Sequence, residues 1–420
     1  MHDIAVPPAS AVDAGLVRRL HGFVVDHEFG ETPIGSRPSP LWEGLTQLGT
    51  QLWLDTGDLI GAEGAWCEEF SALTTNNSLL NAEVQKGVYD DVVRRAGQEL
   101  EGLDPETRVL EVAFVLNAIH GLRLVDRFGG QVSVELHTAL ADDAERAVFY
   151  GQRLHALAPE HFLIKLPLTP AGLVATRRLR ELGVGVNLTL GFSARQNYLA
   201  TALARPDYVN VFLGRIGAYL IDNRLGDGIG AGEKATWASQ LALRELASGR
   251  ASSTRQIAAS IRDAAQLPLL AGIDVLTIPL PVALAARELD GAWRDRSEDD
   301  IAVALAPGVD PLGLRLEQLW EVEGCERELA ERLARRRTFT ADEVVAEAQE
   351  CGCGDLFPVL SDADRARLGA DGKIPAHAAW EERIAAGEVA VDSLLNAAGL
   401  LAFSADQAKL DVRVRGLLDG

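Results

Sequence analysis

The chain has 420 residues, 47% of them hydrophobic and 24% charged, the balance of a globular protein with a sizeable buried core, long enough for one large barrel or two ordinary domains. Its formal net charge of -21 excludes the broad basic surface that holds nucleic acid or anionic membrane, so neither is an expected partner. Cys67, Cys325, Cys351 and Cys353 are too few for a disulfide framework, Met1–Ser10 lacks the basic-then-apolar pattern of a leader, and no run approaches the ~18 apolar residues of a membrane span, so a reduced cytoplasmic enzyme is expected.

Residues 1–45 read as an N-terminal extension, with a short helix over Ala11–His27 and a loop through Pro38–Pro40. From about residue 50, short β-rich runs alternate with longer helical patterns. The strands expected are Leu52–Asp55, Ala72–Thr75, Val132–Leu136, Phe162–Leu166, Val184–Leu190, Tyr208–Leu213 and Val275–Ile278. One more is needed near Ala247–Arg255, where the pattern is weakest. Between them, Ala171–Leu182 and Ala194–Ala204 carry helical periodicity. Strand–helix alternation at this spacing makes parallel β/α units, and about eight of them predict a closed (β/α)8 TIM barrel over residues 46–290. Gly228-Ile229-Gly230-Ala231-Gly232 is a loop rather than a dinucleotide site, because no strand leads directly into it.

After about Gly291 the pattern changes, and residues 291–380 read as a helical insertion. Glu317–Arg337 is strongly charged and helical, its Arg332–Arg337 run suiting a solvated face or a subunit contact. Thr340 caps a further helix, with Glu343 three residues on. Cys351-Gly352-Cys353 has no second cysteine pair or histidine cluster with it, so a surface loop is expected there and no metal site. Asp371-Gly372-Lys373 is a turn, and residues 381–420 form helices that pack back on the barrel.

Lys165 lies inside Phe162-Leu163-Ile164-Lys165-Leu166-Pro167, a run that reads as a buried strand. Burial disfavours the ammonium form and frees the amine to attack a carbonyl and form a Schiff base. The plainer alternative is a lysine snorkelling at a strand end or paired with a carboxylate. Reactive groups of a β/α barrel sit at the C-terminal ends of its strands. Reading those ends gives Asp55, Thr74-Thr75-Asn76, Glu135, Lys165, Asn187 with Thr189, and Arg215. Six buried polar positions at one end of a barrel would be costly without a use. Singly, Asp55 could serve as a turn residue and Asn76 as a helix cap.

Leu52-Trp53-Leu54-Asp55-Thr56, Thr74-Thr75-Asn76-Asn77-Ser78-Leu79, Ile164-Lys165-Leu166-Pro167, Val186-Asn187-Leu188-Thr189-Leu190 and Phe212-Leu213-Gly214-Arg215-Ile216 resemble transaldolase segments, in the same order. Leu276-Thr277-Ile278-Pro279 is similar to that family's last strand, and Ala390–Asp411 to its C-terminal helix across the barrel mouth. The resemblance covers about residues 50–285 and 385–415.

It implies a cofactor-free, metal-free reaction in which Lys165 forms an iminium with a ketose phosphate, and Asp55 removes the C4 hydroxyl proton. Glu135 shuttles protons through a water held by Thr189. Thr75, Asn76 and Asn187 match positions that bind the three-carbon unit. Asn210 stands where many members have a smaller Ser, which would reshape that pocket, and Asn77 replaces a common Pro. Arg215 matches an anion-binding position, and Ser253-Thr254-Arg255 resembles a Ser-x-Arg phosphate segment, with Arg250 as the alternative if the register differs.

The implied activity moves dihydroxyacetone between sugar phosphates in the pentose phosphate pathway, from sedoheptulose 7-phosphate or fructose 6-phosphate to an aldose phosphate. The implied assembly is a homodimer. The alternatives are a related aldolase with another donor or acceptor, and a silent sugar-phosphate-binding barrel. Retention of Asp55, Glu135 and Lys165 together argues against the silent barrel.

Overall fold

Eight parallel strands close into one barrel in chain order: β1 (Gln51–Asp55), β2 (Phe70–Thr74), β3 (Gln131–Glu135), β4 (Phe162–Pro167), β5 (Val186–Thr189), β6 (Tyr208–Phe212), β7 (Arg255–Ala259) and β8 (Val275–Pro279). The structure is a computed structural model that describes residues 12–27, 29–249 and 253–419. The leader reading of Met1–Ser10 and the alternative Arg250 lie outside those residues. No described helix is long and apolar enough to cross a membrane.

Successive side chains of a strand point to opposite faces, and the helices outside cover one of them. Leu52, Leu54, Leu73, Val132, Val134, Ile164, Leu166, Val186, Leu188, Val209, Val211 and Ala258 are accordingly all buried. The lumen is filled as well. Trp53 meets Tyr208 edge to face at 4.6 Å, although β1 and β6 are not neighbours, so both rings plug the barrel floor. Two residues further along the same faces stand Asp55 and Asn210, which the pleat therefore also turns inward.

The strand expected near Ala247–Arg255 departs from its position. Residues up to Gly249 continue the helix Ala231–Gly249, and β7 begins only at Arg255. The apolar, β-compatible run is Ile257-Ala258-Ala259, buried together with Gln256, whereas Ala247-Ser248-Gly249 suits the end of a helix.

Beyond β8 the expected single helix over Glu317–Arg337 is broken. A short 3-10 turn, Leu316–Leu319, is followed by the helix Gly324–Ala334, started by a capping box between Glu323 and Glu326. The arginine run is paired within the chain: Arg332 with Glu328, Glu347 and Glu350, Arg335 with Glu331, and Arg336 with Glu343 and Glu347. Thr340 and Glu343 form a capping box at the start of the helix Ala341–Cys351. Cys351 ends that helix, and Cys353, only 1% exposed, is buried rather than on a surface loop.

The helix Val391–Leu418 returns across the C-terminal ends of the strands. Its Asn396 Nδ2 donates to the carbonyls of Leu168 and Leu190 just past β4 and β5, at 3.0 and 2.7 Å. Ser78 donates to Asp406 at 2.5 Å, His137 meets Asp411 at 3.2 Å, and Arg413 pairs with Asp90 at 2.7 Å. Near its start, Asp392 takes two hydrogen bonds from the buried Arg195 guanidinium, at 2.8 and 2.9 Å. That guanidinium also touches Glu326 at 3.3 Å and Asp355 at 3.2 Å. One cation thus ties the barrel helix Ala194–Ala204, the segment after β8 and the closing helix together.

Candidate active site

Glu135, Lys165 and Asn187 are register partners across β3, β4 and β5, so pairing alone brings an acid, an amine and an amide side by side. Lys165 is 4% exposed, and its Nζ donates to the Thr75 carbonyl at 3.0 Å, just past β2. The Thr75 hydroxyl is buried without a partner, as is that of Thr189. A buried hydroxyl left open in a polar lumen is a natural seat for a water or a substrate oxygen.

Asp55, at the end of β1, accepts from the Thr74 hydroxyl at 2.8 Å, and Thr74 in turn lies 2.6 Å from the Thr277 hydroxyl of β8. Since Thr74 gives its proton to the carboxylate, Thr277 supplies the second bond. This chain fixes the Asp55 carboxyl in one orientation. Asn187 is held at both ends of its amide: its Nδ2 donates to Ser133 at 2.9 Å, and its Oδ1 accepts from Asn210 at 2.6 Å. Asn210 also donates to the Leu188 carbonyl at 2.9 Å. The partners that an amide inside an apolar strand requires are therefore present, and Asn210 orients Asn187. Asn76 caps the helix Asn77–Gln85, its Oδ1 accepting from Leu79 at 2.9 Å.

Electrostatics binds these groups into one site. Burial pushes the Asp55 carboxyl above the ordinary carboxylate range, opposed by the nearby Lys165 cation, the Thr74 hydrogen bond and Arg262. Burial likewise raises Glu135, opposed by Lys165, by the Asn77 N–H at 3.2 Å and by Arg215, while the Asp55 charge raises it further. Two acids near one amine, each favoured toward its protonated form, can hand protons to and from a reacting substrate.

Arg215 begins the helix Leu213–Asp222 directly after β6 and is 4% exposed. Its Nε and one terminal nitrogen are buried with no hydrogen-bond partner. Burial, and then the neighbouring Arg262, push it down to about 10, so it stays a cation at neutral pH. The rings of Phe212 and Phe403 lie 5.2 and 5.3 Å from its guanidinium. Arg262 follows β7 by three residues and faces solvent. A Cβ on Gly214 would fall 2.6 Å from the Arg262 Cγ and 2.1 Å from the Ser260 carbonyl, so a glycine there lets the two strand exits, and their arginines, close up. Ser260 itself adopts a left-handed φ of 63°, as Leu190 does at 64° after β5. Arg215 and Arg262 are electrostatic neighbours, and the Glu135 and Asp55 carboxylates act on Arg215 and Arg262 respectively; such a guanidinium pair can take an anion.

Ser253 and Arg255 do not share it. Arg255 is the first residue of β7, paired with Tyr208 at the start of β6. Both residues line a cavity of about 460 Å³ with Gln51, Gln131, Phe162 and Tyr208, which also open their strands. They therefore stand at the opposite end of the barrel, and the residues at the exit of β7 are Ser260 and Arg262. The signal was present in the apolar run Ile257-Ala258-Ala259, which fixes Ser260-Ile261-Arg262 as the exit of β7. Thr277 and Ser133 were likewise unassigned, because hydroxyls inside β runs look like ordinary strand residues.

A closed barrel with an amine, two carboxylates and two arginines at one end has the arrangement of an enzyme of the (β/α)8 class. The family described as Transaldolase/Fructose-6-phosphate aldolase matches residues 52–309. The chain belongs to that family, and its activity is of the transaldolase type.

Similar proteins include the transaldolase of Xanthomonas euvesicatoria pv. vesicatoria (strain 85-10), 32% identical over 214 residues, 49% of this chain and 66% of that protein. The probable transaldolase of Exiguobacterium sp. (strain ATCC BAA-1283 / AT1b) is 34% identical over 184 residues, 43% of this chain and 72% of the relative. A transaldolase of Xanthomonas campestris pv. campestris (strain B100) is 29% identical over 279 residues, 59% and 86% of the two chains.

Proposed function

We propose that the protein transfers a dihydroxyacetone unit from a ketose phosphate, such as sedoheptulose 7-phosphate or fructose 6-phosphate, to an aldose phosphate, through a Schiff base on Lys165. The observation that carries this reading is the Lys165 amine in register with Glu135 and within electrostatic reach of Asp55. The phosphate rests on Arg215 and Arg262, and the setting is the non-oxidative pentose phosphate pathway in the cytoplasm.

The neutral amine attacks the C2 carbonyl, and Glu135 moves protons through a water on the open Thr189 hydroxyl as the carbinolamine loses water to an iminium. Asp55, its carboxylate oriented by Thr74, takes the C4 hydroxyl proton. The C3–C4 bond then breaks, its electron pair flows into the iminium, and an aldose phosphate leaves. The remaining enamine, held by hydrogen bonds from Asn187 and the amide of Asn76, attacks the carbonyl of the acceptor, and the steps reverse. Fixed donors keep the fragment in attack geometry and favour capture by the acceptor over loss to water. Buried carboxyls poised toward protonation suit this exchange, since each must both give and accept a proton in one turnover.

Borohydride reduction in the presence of fructose 6-phosphate tests the reading, by intact mass and peptide mapping. The expected product is one reduced dihydroxyacetone unit on Lys165. A folded protein that forms no adduct with fructose 6-phosphate or sedoheptulose 7-phosphate would overturn it. An adduct whose fragment is released as free dihydroxyacetone whatever the acceptor would point instead to an aldolase.

A further inference from the structure

Asn77 touches two successive residues at the exit of β3. Its main-chain N–H donates to Glu135 Oε2 at 3.2 Å, and its side-chain Nδ2 donates to the Leu136 carbonyl at 3.1 Å. The residue is 0% exposed, and its Oδ1 is buried with no hydrogen-bond partner among the described residues. A buried amide with an open acceptor costs stability that an apolar side chain of similar size would not. Packing alone therefore gives no reason for an asparagine at this position.

The local fold explains why the N–H is available. Asn76 is the N-cap of the helix Asn77–Gln85, and Asn77 is its first residue. The first N–H groups of a helix have no partner within it, and the Asn76 side chain takes that of Leu79. The Asn77 N–H is left over at the positive end of the helix, where a carboxylate is the favoured partner.

We infer that Asn77 is a positioning residue for Glu135: its N–H holds Oε2 as an acceptor, so the proton that Glu135 carries sits on Oε1, while its amide pins the contact to Leu136. This role rests on the transfer reaction proposed above, in which Glu135 gives and takes protons. A carboxyl free to turn can present either oxygen, whereas one tethered through Oε2 presents the same oxygen in both halves of a turnover. The proton balance of the reaction is unchanged. The proton that Oε1 gives to the departing hydroxyl, which leaves as water, returns when the iminium is hydrolysed.

The other charged groups acting on Glu135 come from three elements. Lys165 of β4 and Arg215 after β6 favour its ionised form, and Asp55 of β1 opposes it. On the closing helix, Asp411 meets His137 and Asp406 takes the Ser78 hydroxyl, so each is engaged elsewhere. An N–H that donates to the ionised carboxylate favours that form, so its removal moves the Glu135 midpoint up.

Proline at the first helical position keeps the helix and deletes the N–H, and the extended Asn76 (φ −157°, ψ 170°) suits a residue before proline. Asn77→Pro and Asn77→Ala both lose the amide, so their difference isolates the N–H. The full-length proteins are titrated by carboxyl-carbon NMR, with the Glu135 resonance assigned by its loss in Glu135→Gln. The expected midpoint in Asn77→Pro lies about 0.5–1 pH unit above that in Asn77→Ala. The limb of the kcat–pH profile that Glu135→Gln removes should move with it. Equal midpoints in the two variants would overturn the proposal, as would a limb that stays fixed while the midpoint moves. If Asn77→Pro does not fold, the parent protein decides: its Asn77 amide proton should titrate with the Glu135 midpoint and cease to do so in Glu135→Gln. An amide proton that ignores the carboxyl overturns the proposal too. The NMR titrations need no substrate, so they stand apart from the lysine adduct, whose absence would overturn the transfer reading alone.

Discussion

Among the described residues, the Lys165 amine has a single hydrogen bond, to a main-chain carbonyl, so little but the two nearby acids and a substrate competes for its lone pair once it is deprotonated. Lys165→Ala should lower turnover at least about 1,000-fold and abolish the borohydride adduct, with the fold unchanged by circular dichroism. Asp55 gives a sharper test, because function and stability should move in opposite directions. Its folded pKa lies above the unfolded value of 3.8, so above pH 3.8 the folded state holds more proton than the unfolded one and stability falls as pH rises through that window. Asp55→Asn should therefore lose transfer activity yet raise the thermal midpoint at neutral pH, and the gain should shrink as pH falls toward 3.8. Calorimetry from pH 7 downward would read it; a variant less stable than its parent at neutral pH would contradict the burial argument. At the anion clamp, Arg262→Ala should raise KM for phosphorylated substrates about 10- to 100-fold, the worth of a charge-assisted hydrogen bond. Arg255→Ala, at the far end of the barrel, should leave KM unchanged.

At the scale of elements, the strands with continuous apolar runs were legible to within one or two residues, because both faces of a parallel barrel are buried and leave little room for another pattern. Phe162–Pro167 and its lysine fall where the sequence put them. The seventh strand was not legible in the same way: Ala and Gln replace the branched residues that advertise a strand, and the error carried Ser253 and Arg255 to the wrong end. Site residues that depend on cross-strand partners, such as Thr277 and Ser133, have no local signature at all. The closing helix supplies its own test. A Cβ on Gly399 would stand 2.8 Å from an Arg215 terminal nitrogen and 2.9 Å from the Leu190 side chain. Gly399→Val should displace Arg215 and raise KM for phosphorylated substrates several-fold while sparing turnover by bound substrate. Steady-state kinetics would separate the two parameters, and equal losses in both would mean that the helix acts otherwise.

Across the whole molecule, Arg195 is the joint. Its 1% exposure and three acidic partners make it a charge that cannot be removed without stranding the others. Arg195→Met should cost about 3–5 kcal/mol, seen as a lower unfolding midpoint and faster proteolysis near residue 390. None of this was visible beforehand, since Arg195, Glu326, Asp355 and Asp392 lie far apart in the chain and each resembles an ordinary surface residue. The charged stretch after β8 was legible as helical but not in where it breaks, because the capping box at Glu323 depends on Glu326 turning back to a single N–H.

The closing helix also sets an order of events during synthesis. All eight strands leave the ribosome before Val391, and about 110 residues separate Pro279 from it. At about 5–20 residues per second, a nascent barrel could exist for roughly 5–20 s with its mouth uncovered. Lys165, Glu135 and Asp55 would already be in place, while Arg215 would still lack the Phe403 ring and Asn396 would not yet have bridged the ends of β4 and β5. Assembly of the amine and its acids is thus separated in time from completion of the anion clamp, and a chain arrested before residue 391 should form the lysine adduct while holding phosphate poorly.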